Sequence, residues 1–321
     1  GKTVGIQTGN PESFSSYETL YSAFIEQLNY IVDQKIRVSN YIDTMFAKYA
    51  PAPFLSVLID DCILKGRDYY NAGPRYNTNY IQCTGLATVT DSLSTIKTHV
   101  FEKQSLSMQD LLGAVSKNFR GEEKLRQTIV NWTPFFGNDD DRADGIAVQV
   151  YGDLLQAIDG KPNTKGDVFH LNMLSTTCHI YFGKVLGATP NGRLAGKSIS
   201  DGTSPSHGCD INGPSAVISS LTKLDHTRSG GILLNQRFLP SLLKRDADIK
   251  KLGSLIRNYF KRGGHHIQFN VVDTATLRAA QKNPEDYKDL LVRMAGYSDY
   301  FNDMNADLQQ EVIDRTENES F

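Results

Sequence analysis

The sequence predicts a mixed helix-and-strand chain in two parts, and three observations predict it. Apolar residues recur every three or four positions over 17–50 and again over 139–158, the spacing of helices with one buried face. The run His266-Ile267-Gln268-Phe269-Asn270-Val271-Val272 alternates apolar with polar up to Val271, the period of a strand. From Gly187 to Gly231 the texture changes: glycines punctuate a segment with few long periodic runs, which marks a second, loop-rich unit.

The elements follow in order. Ser13 or Ser16 can cap the first helix, whose apolar face carries Tyr17, Leu20, Tyr21, Phe24, Leu28, Ile31 and Val32. Pro51-Ala52-Pro53 stops it. A single helix of that length is unusual, so a break is expected near 33–40. The apolar stretch 54–64 fits a buried strand or a buried helix, and the turn-rich 65–79 follows. Helical spacing returns over 86–100, 108–118 and 122–131. Asp139-Asp140-Asp141 opens a further helix with Ile146, Val150, Leu154 and Ile158 on one face, ended by Gly160-Lys161-Pro162. In the second unit a helix is expected near 240–260, then the strand, then two short helices at the end, one of them over about 285–293 capped by Pro284. Local rules read 292–300 as a helix end, a glycine stop and a turn.

Composition excludes several classes. The 321 residues carry 34 basic against 36 acidic side chains, a formal charge of −2, which gives no electrostatic reason to expect nucleic acid or an anionic membrane as partner. No apolar run approaches the roughly 20 residues of a transmembrane helix. The opening Gly1-Lys2-Thr3-Val4-Gly5 lacks a basic-then-apolar leader, so the expected address is the cytoplasm. Cys62, Cys83, Cys178 and Cys209 lie far apart with no CxxC pair, the usage of reduced thiols and not of disulfides or zinc. No metal site is expected. His265 and His266 are adjacent on a strand and point to opposite faces. Asp139, Asp140, Asp141 and Asp144 lack the spacing of a calcium loop, and helix capping explains them. Gly230-Gly231 and Gly263-Gly264 lack the strand–GxGxxG–helix order of a dinucleotide site. Arg193, beside Gly192, fits a contact to the second unit's core or the surface equally well.

Arg293-Met294-Ala295-Gly296-Tyr297-Ser298 resembles the glycyl radical signature Arg-Val-(Ser/Ala)-Gly-Tyr-(Ala/Ser). Gly187-Ala188-Thr189-Pro190-Asn191-Gly192-Arg193, Asp201-Gly202-Thr203-Ser204-Pro205, Asp210-Ile211-Asn212-Gly213-Pro214 and Leu233-Leu234-Asn235-Gln236-Arg237-Phe238 resemble successive blocks of the same family's last domain. Pro51-Ala52-Pro53-Phe54, Asp91-Ser92-Leu93 and Gly137-Asn138-Asp139-Asp140 resemble blocks of its barrel domain. On these motifs the sequence is identified as a member of the pyruvate formate-lyase-like glycyl radical enzymes. The resemblance implies an α/β fold: part of a ten-stranded α/β barrel, built of two five-stranded half-barrels wrapped by helices, over 1–186, and a glycine radical domain over 187–321.

It also implies that Gly296 stores the radical. Loss of a hydrogen atom from its Cα leaves a near-planar centre conjugated with both flanking peptides, and a Cβ would twist that plane; only glycine lacks one. The loop is expected to be buried against oxygen yet able to swing out to an activating enzyme that uses S-adenosylmethionine and an iron–sulfur cluster. No bound cofactor is expected. The family's Gly-Cys-Val-Glu is absent, so the chain is expected to be the C-terminal part of a longer enzyme, with the catalytic cysteine and glutamate upstream. Gly208-Cys209-Asp210 lies where the family has no catalytic cysteine, and Cys209 reads as a small packing thiol. The expected partners are the activating enzyme, the N-terminal part, a small-molecule substrate and a second copy in a homodimer. Leu171-Asn172-Met173-Leu174-Ser175-Thr176-Thr177-Cys178-His179 resembles, in members that dehydrate hydroxyproline, the strand whose end reaches the substrate. That points to removal of water from trans-4-hydroxy-L-proline, with Thr176 as a candidate substrate-binding hydroxyl or simply a strand former. A glycerol or propanediol dehydratase is the alternative, and a non-catalytic radical donor subunit or a non-radical structural homologue are the alternatives from other classes.

Overall fold

The computed structural model describes residues 4–319. Helix α1 runs unbroken over Tyr17–Tyr49, so the break expected near 33–40 does not occur. Ser16 starts it with a capping box: its hydroxyl accepts from the Thr19 amide at 3.3 Å while the Thr19 hydroxyl accepts from the Ser16 amide at 3.3 Å. Pro51 lies just past its end. The 54–64 stretch is neither a strand nor a buried helix. It forms two short helices, α2 (Pro53–Ser56) and α3 (Asp60–Lys65), that leave Phe54, Leu58 and Leu64 largely exposed. Strand β1 (Asn79–Gln82) follows, then α4 (Leu86–Thr95), which continues into a π-helical turn at Ile96–Glu102. Helices α5 (Met108–Ser116), α6 (Glu123–Trp132) and α7 (Asp141–Ile158) match their periodicity, and Ser107 caps α5.

Strand β2 (Phe169–Asn172) precedes α8 (Cys178–Val185), and α9 spans Gly213–Leu221. Strand β3 (Asn235–Phe238) had no periodic signature of its own. The helix expected near 240–260 is a 3-10 turn at Pro240–Leu243 followed by α10 (Asp246–Lys261). The alternating run gives β4 (Gln268–Val271), and α11 (Thr274–Lys282) is capped by Asp273. Over 284–300 the sequence expectation fails. Pro284–Tyr287 is only a 3-10 turn, and β5 (Leu291–Arg293) and β6 (Ser298–Tyr300) form an antiparallel hairpin where a helix and a glycine stop were expected. Helix α12 (Ala306–Asp314) and the short β7 (Glu317–Asn318) close the described chain.

Contacts divide the chain into two compact units. The first comprises residues 1–81 and 152–172. In it α1 turns Tyr17, Tyr21, Ala23, Val32 and Ile36 inward, and the Tyr21 hydroxyl donates to Asp153 at 2.6 Å. β1 and β2 pair, and the Asn163 amide bonds the Asn77 carbonyl at 2.7 Å beside them.

The second unit comprises 82–151 and 173–321. Its parallel sheet runs β4-β3-β7, with Asn235 opposite Gln268 and Arg237 opposite both Asn270 and Glu317. One apolar cluster, of Leu111, Ala114, Phe119, Ile129 and Phe135, joins α5 and α6. Another, of Val272, Leu277, Ala280, Val292, Met294, Phe301, Met304, Val312 and Ile313, lies under the β5–β6 hairpin and ties it to α11 and α12. That second cluster positions the site.

Candidate active site

Gly296 occupies the third of four residues at the tip of the β5–β6 hairpin. The register pairs Arg293 with Ser298, leaving Met294-Ala295-Gly296-Tyr297 as the loop, closed by the Met294 amide donating to the Tyr297 carbonyl at 2.9 Å. The turn needs a left-handed residue, and Gly296 supplies it at φ +81 without strain. Met294 and Ala295 are buried and anchor the loop. Gly296, Tyr297 and Ser298 are exposed, so the burial expected around Gly296 is not provided by the described residues. A Cβ built on Gly296 would meet nothing within 4 Å.

The backbone on both sides of this Cα is held. In β4 alternate residues share a face, so Gln268 and Asn270 turn their amides the same way. The Gly296 amide donates to Gln268 Oε1 at 3.0 Å, and Gln268 Nε2 donates to the Met294 carbonyl at 2.6 Å and to Asn235 Oδ1. Asn270 makes a two-point contact: its Oδ1 accepts from the Arg293 amide at 2.7 Å and its Nδ2 donates to the Arg293 carbonyl at 2.9 Å. The Arg293 guanidinium folds back to donate to the Gly296 carbonyl at 3.1 Å. The amide on one side of the Cα and the carbonyl on the other are thus fixed, while the Cα itself stays open. This arrangement orients two peptide planes about one carbon and exposes the hydrogen on that carbon.

A family model described as pyruvate formate lyase-like matches residues 1–183, and one described as glycine radical matches residues 199–302, a span that contains the hairpin. The chain belongs to the pyruvate formate lyase-like family. It is 50% identical over 316 residues to trans-4-hydroxy-L-proline dehydratase of Clostridioides difficile, an alignment that covers 98% of this chain and 40% of that protein. The crystal structure of hydroxyproline dehydratase from the same organism, with trans-4-hydroxy-L-proline bound, superposes with a TM-score of 0.96 at 50% identity over 100% of this chain and 40% of that one. The glycerol-bound glycerol dehydratase of Clostridium butyricum superposes with a TM-score of 0.95 at 40% identity, over 99% of this chain and 40% of that one. The fold is therefore the α/β fold of these enzymes. The chain spans about two fifths of the length of the curated relatives it matches.

In this member of the family the other residues singled out in the sequence sort as follows. Thr176 is not on a strand: β2 ends at Asn172, and Thr176 sits in the turn before α8 at φ +49, costly for a β-branched residue. It is half-buried, and its hydroxyl donates to the Ser175 carbonyl at 2.7 Å and lies 3.8 Å from Cys178 Sγ. Cys209 packs against the Leu111 cluster. Burial first, then the Asp91 and Asp210 charges, push its thiol up, the opposite of a poised nucleophile.

Lys223 answers the acidic run before α7. Its ammonium lies 3.0 Å from Asp139, 2.7 Å from Asp141 and 2.7 Å from Asp144. His265 and His266 precede β4; the His265 amide donates to His226 Nδ1 at 3.2 Å, and the His266 carbonyl accepts from the Tyr259 hydroxyl at 3.0 Å. Arg193 staples its own loop, donating to the Thr189 hydroxyl and to the Leu194 and Lys197 carbonyls. Among the described residues no helix is long and apolar enough to cross a membrane.

Sequence reasoning missed Arg315 and Glu311 on the far side of the loop. Arg315 Nη1 donates to the Arg293 carbonyl at 3.0 Å, and Nη2 reaches the Met294 carbonyl at 3.4 Å. The available signal was their i,i+4 spacing at the end of a helical run.

Proposed function

We propose that this chain is the radical-storing part of a glycyl radical dehydratase acting on trans-4-hydroxy-L-proline, with 1–186 as the barrel part and 187–321 as the radical domain. One observation carries the reading: the amide and the carbonyl that flank the Gly296 Cα are both hydrogen-bonded while the place a Cβ would take stays open. A radical there delocalises onto both peptides once they turn toward one plane from the φ +81 of the parent glycine, and the hydrogen bonds hold the amide and the carbonyl at either end of that unit. In this family a radical S-adenosylmethionine activase removes the hydrogen atom. The exposed loop suits that visit, and the shielding from oxygen that a stored radical needs comes from protein outside the described residues.

In turnover Gly296 takes a hydrogen atom from a cysteine thiol outside this sequence. The resulting thiyl takes one from the ring carbon beside the substrate nitrogen. The C4 hydroxyl then leaves as water, with its proton supplied by a glutamate, while the ring nitrogen gives up its N–H proton. The product radical recovers a hydrogen atom from the thiol, giving a cyclic imine acid and a thiyl, which takes the hydrogen atom back from Gly296 and returns the radical there. Thr176, strained where β2 gives way to α8, is proposed to present its hydroxyl to the substrate carboxylate or amine. The 50% identity to a hydroxyproline dehydratase supports this substrate over glycerol, whose dehydratase is 40% identical.

The test uses oxygen. Activated without air and then exposed to it, the protein is expected to break at Gly296 and release a C-terminal piece of 25 residues, 321 − 296. An intact mass after a radical signal has been recorded overturns the assignment of Gly296. Incubation of the activated, air-free protein with hydroxyproline, glycerol and propanediol in turn tests the substrate.

A further inference from the structure

The loop that carries Gly296 is gripped from two sides. β4 supplies two neutral amides. The other grip comes from the end of α12, through a buried charged pair. Arg315 is 5% exposed, and its guanidinium does two things at once. Toward the helix it forks onto Glu311, Nε to Oε1 at 3.0 Å and Nη2 to Oε2 at 2.8 Å. Toward the hairpin it donates to the Arg293 and Met294 carbonyls, the two that open the loop.

Glu311 is itself buried, with His179 Nε2 at 3.2 Å and His207 Nε2 at 3.4 Å from its Oε1. Burial alone would push the Glu311 carboxyl up. The Arg315 charge and the two imidazoles hold it well below the usual carboxylate range, so it stays the anion that orients the guanidinium. Removing such a pair from water is expensive, and an apolar pair would serve packing as well. The apolar side of α12, Val312 and Ile313, already joins the cluster under the hairpin. The charge is therefore not needed to seat the helix. A planar, forked donor fixed by a carboxylate is what is needed to hold two successive carbonyls of a loop in place.

We propose that Arg315, oriented by Glu311, is a positioning residue: it is the clamp that keeps the Met294–Tyr297 loop docked on β4, and its release is the step that frees the loop to move. The mechanical half stands on geometry alone. Its functional meaning, control of how readily Gly296 is reached, rests on the reading of Gly296 as the radical site.

Hydrogen exchange reads the clamp directly, because the docked loop occupies the Arg293 and Gly296 amides in bonds to Asn270 and Gln268 of β4, and the Met294 amide in the bond to Tyr297 that closes the loop. Arg315→Lys, in the intact protein, keeps the charge opposite Glu311 and loses the fork. It is expected to speed exchange at those three amides about tenfold, the effect of losing one charge-assisted bond. The Gln268 amide, bonded to the Leu234 carbonyl at 2.9 Å within the sheet, keeps its rate. A merely structural pair would move all four amides together.

If Arg315→Lys does not fold, Glu311→Leu with Arg315→Met removes the pair without leaving a lone buried charge, and the same local acceleration is expected. Unchanged rates at the three loop amides in a folded variant overturn the clamp, and so does an equal rise at all four. Electron paramagnetic resonance after activation separates the two claims. Faster loop exchange with no radical in wild type or variant sinks Gly296 as the radical site and leaves the clamp standing. A radical in both with unchanged exchange does the reverse.

Discussion

Gly296→Ala separates what the chain needs from a glycine sterically from what it needs chemically. The hairpin places residue 296 at φ +81, where an L side chain costs about 1–2 kcal/mol. Part of that is offset because alanine leaves the unfolded chain less freedom to lose, worth about 0.4–1 kcal/mol. No steric cost adds to it, since a Cβ there meets nothing within 4 Å. The hydrogen bonds from the 296 amide and to its carbonyl do not involve the side chain and survive. The net loss is therefore about 1 kcal/mol, and the variant folds.

Gly183→Ala is the contrast. Its Cβ would lie 2.3 Å from the Lys197 carbonyl oxygen and 2.6 Å from the Ser198 Cα, both backbone, and a loss of several kcal/mol is expected. Urea unfolding of the three proteins measures both figures. After anaerobic activation, resonance spectroscopy should then find a radical in wild type and none in Gly296→Ala, although the two differ so little in stability. A loss above about 3 kcal/mol for Gly296→Ala would mean the turn itself demands glycine, and the chemical argument from an open Cα would fail. Retained radical and turnover in that variant would refute it outright.

Two further outcomes are expected. Asp91 is fully buried, and burial pushes its carboxyl up to about 7 against the opposing hydrogen bonds from Ser206 and the Phe136 amide. The folded state thus binds this proton more tightly than the unfolded one. Its stabilising contribution is complete below about pH 4 and is lost as pH rises through 7, a fall of roughly 4 kcal/mol by pH 8. Asp91→Asn should flatten that slope in urea melts taken from pH 5 to 8, and an unchanged slope assigns it to other groups. Thr176→Gly relieves the strain at φ +49 and should stabilise the fold by up to about 1 kcal/mol while raising the KM for hydroxyproline in the intact protein. An unchanged KM removes Thr176 from the substrate site.

How much of this was legible depended on the length of each signal. Helices α5, α6 and α7 and strand β4 carry enough periods for the spacing to speak, and β4 already displayed the glutamine and asparagine that grip the loop. The hairpin did not. Three-residue strands hold barely one full alternation, so Val292-Arg293 before a glycine reads as a helix terminus as readily as a strand. What marked Gly296 was the hexapeptide around it, a chemical signature and not a structural one. Length also misled in the opposite direction. The 33 residues of α1 argued for a break, yet its inward residues, Tyr17 through Ile36, lie on one uninterrupted helix, and the second half simply leaves Tyr41, Phe46 and Tyr49 exposed.

The burial expected of Gly296 rested on the chemistry of a radical and on its apolar and aromatic neighbours, of which Met294 and Ala295 are buried and Tyr297 is exposed. The described residues hold the peptides on either side of that carbon through Gln268, Asn270, Arg293 and Arg315, and they leave the glycine itself exposed. Arg315 was the least legible of the four because its role exists only in three dimensions: 22 residues separate it from the carbonyl it holds, and nothing in a Glu–Arg pair at the end of a short helix says which loop it faces. A residue that positions by its backbone contacts leaves no motif, and that is why the exchange rates of three amides, and not a further search of the sequence, decide whether it is the clamp.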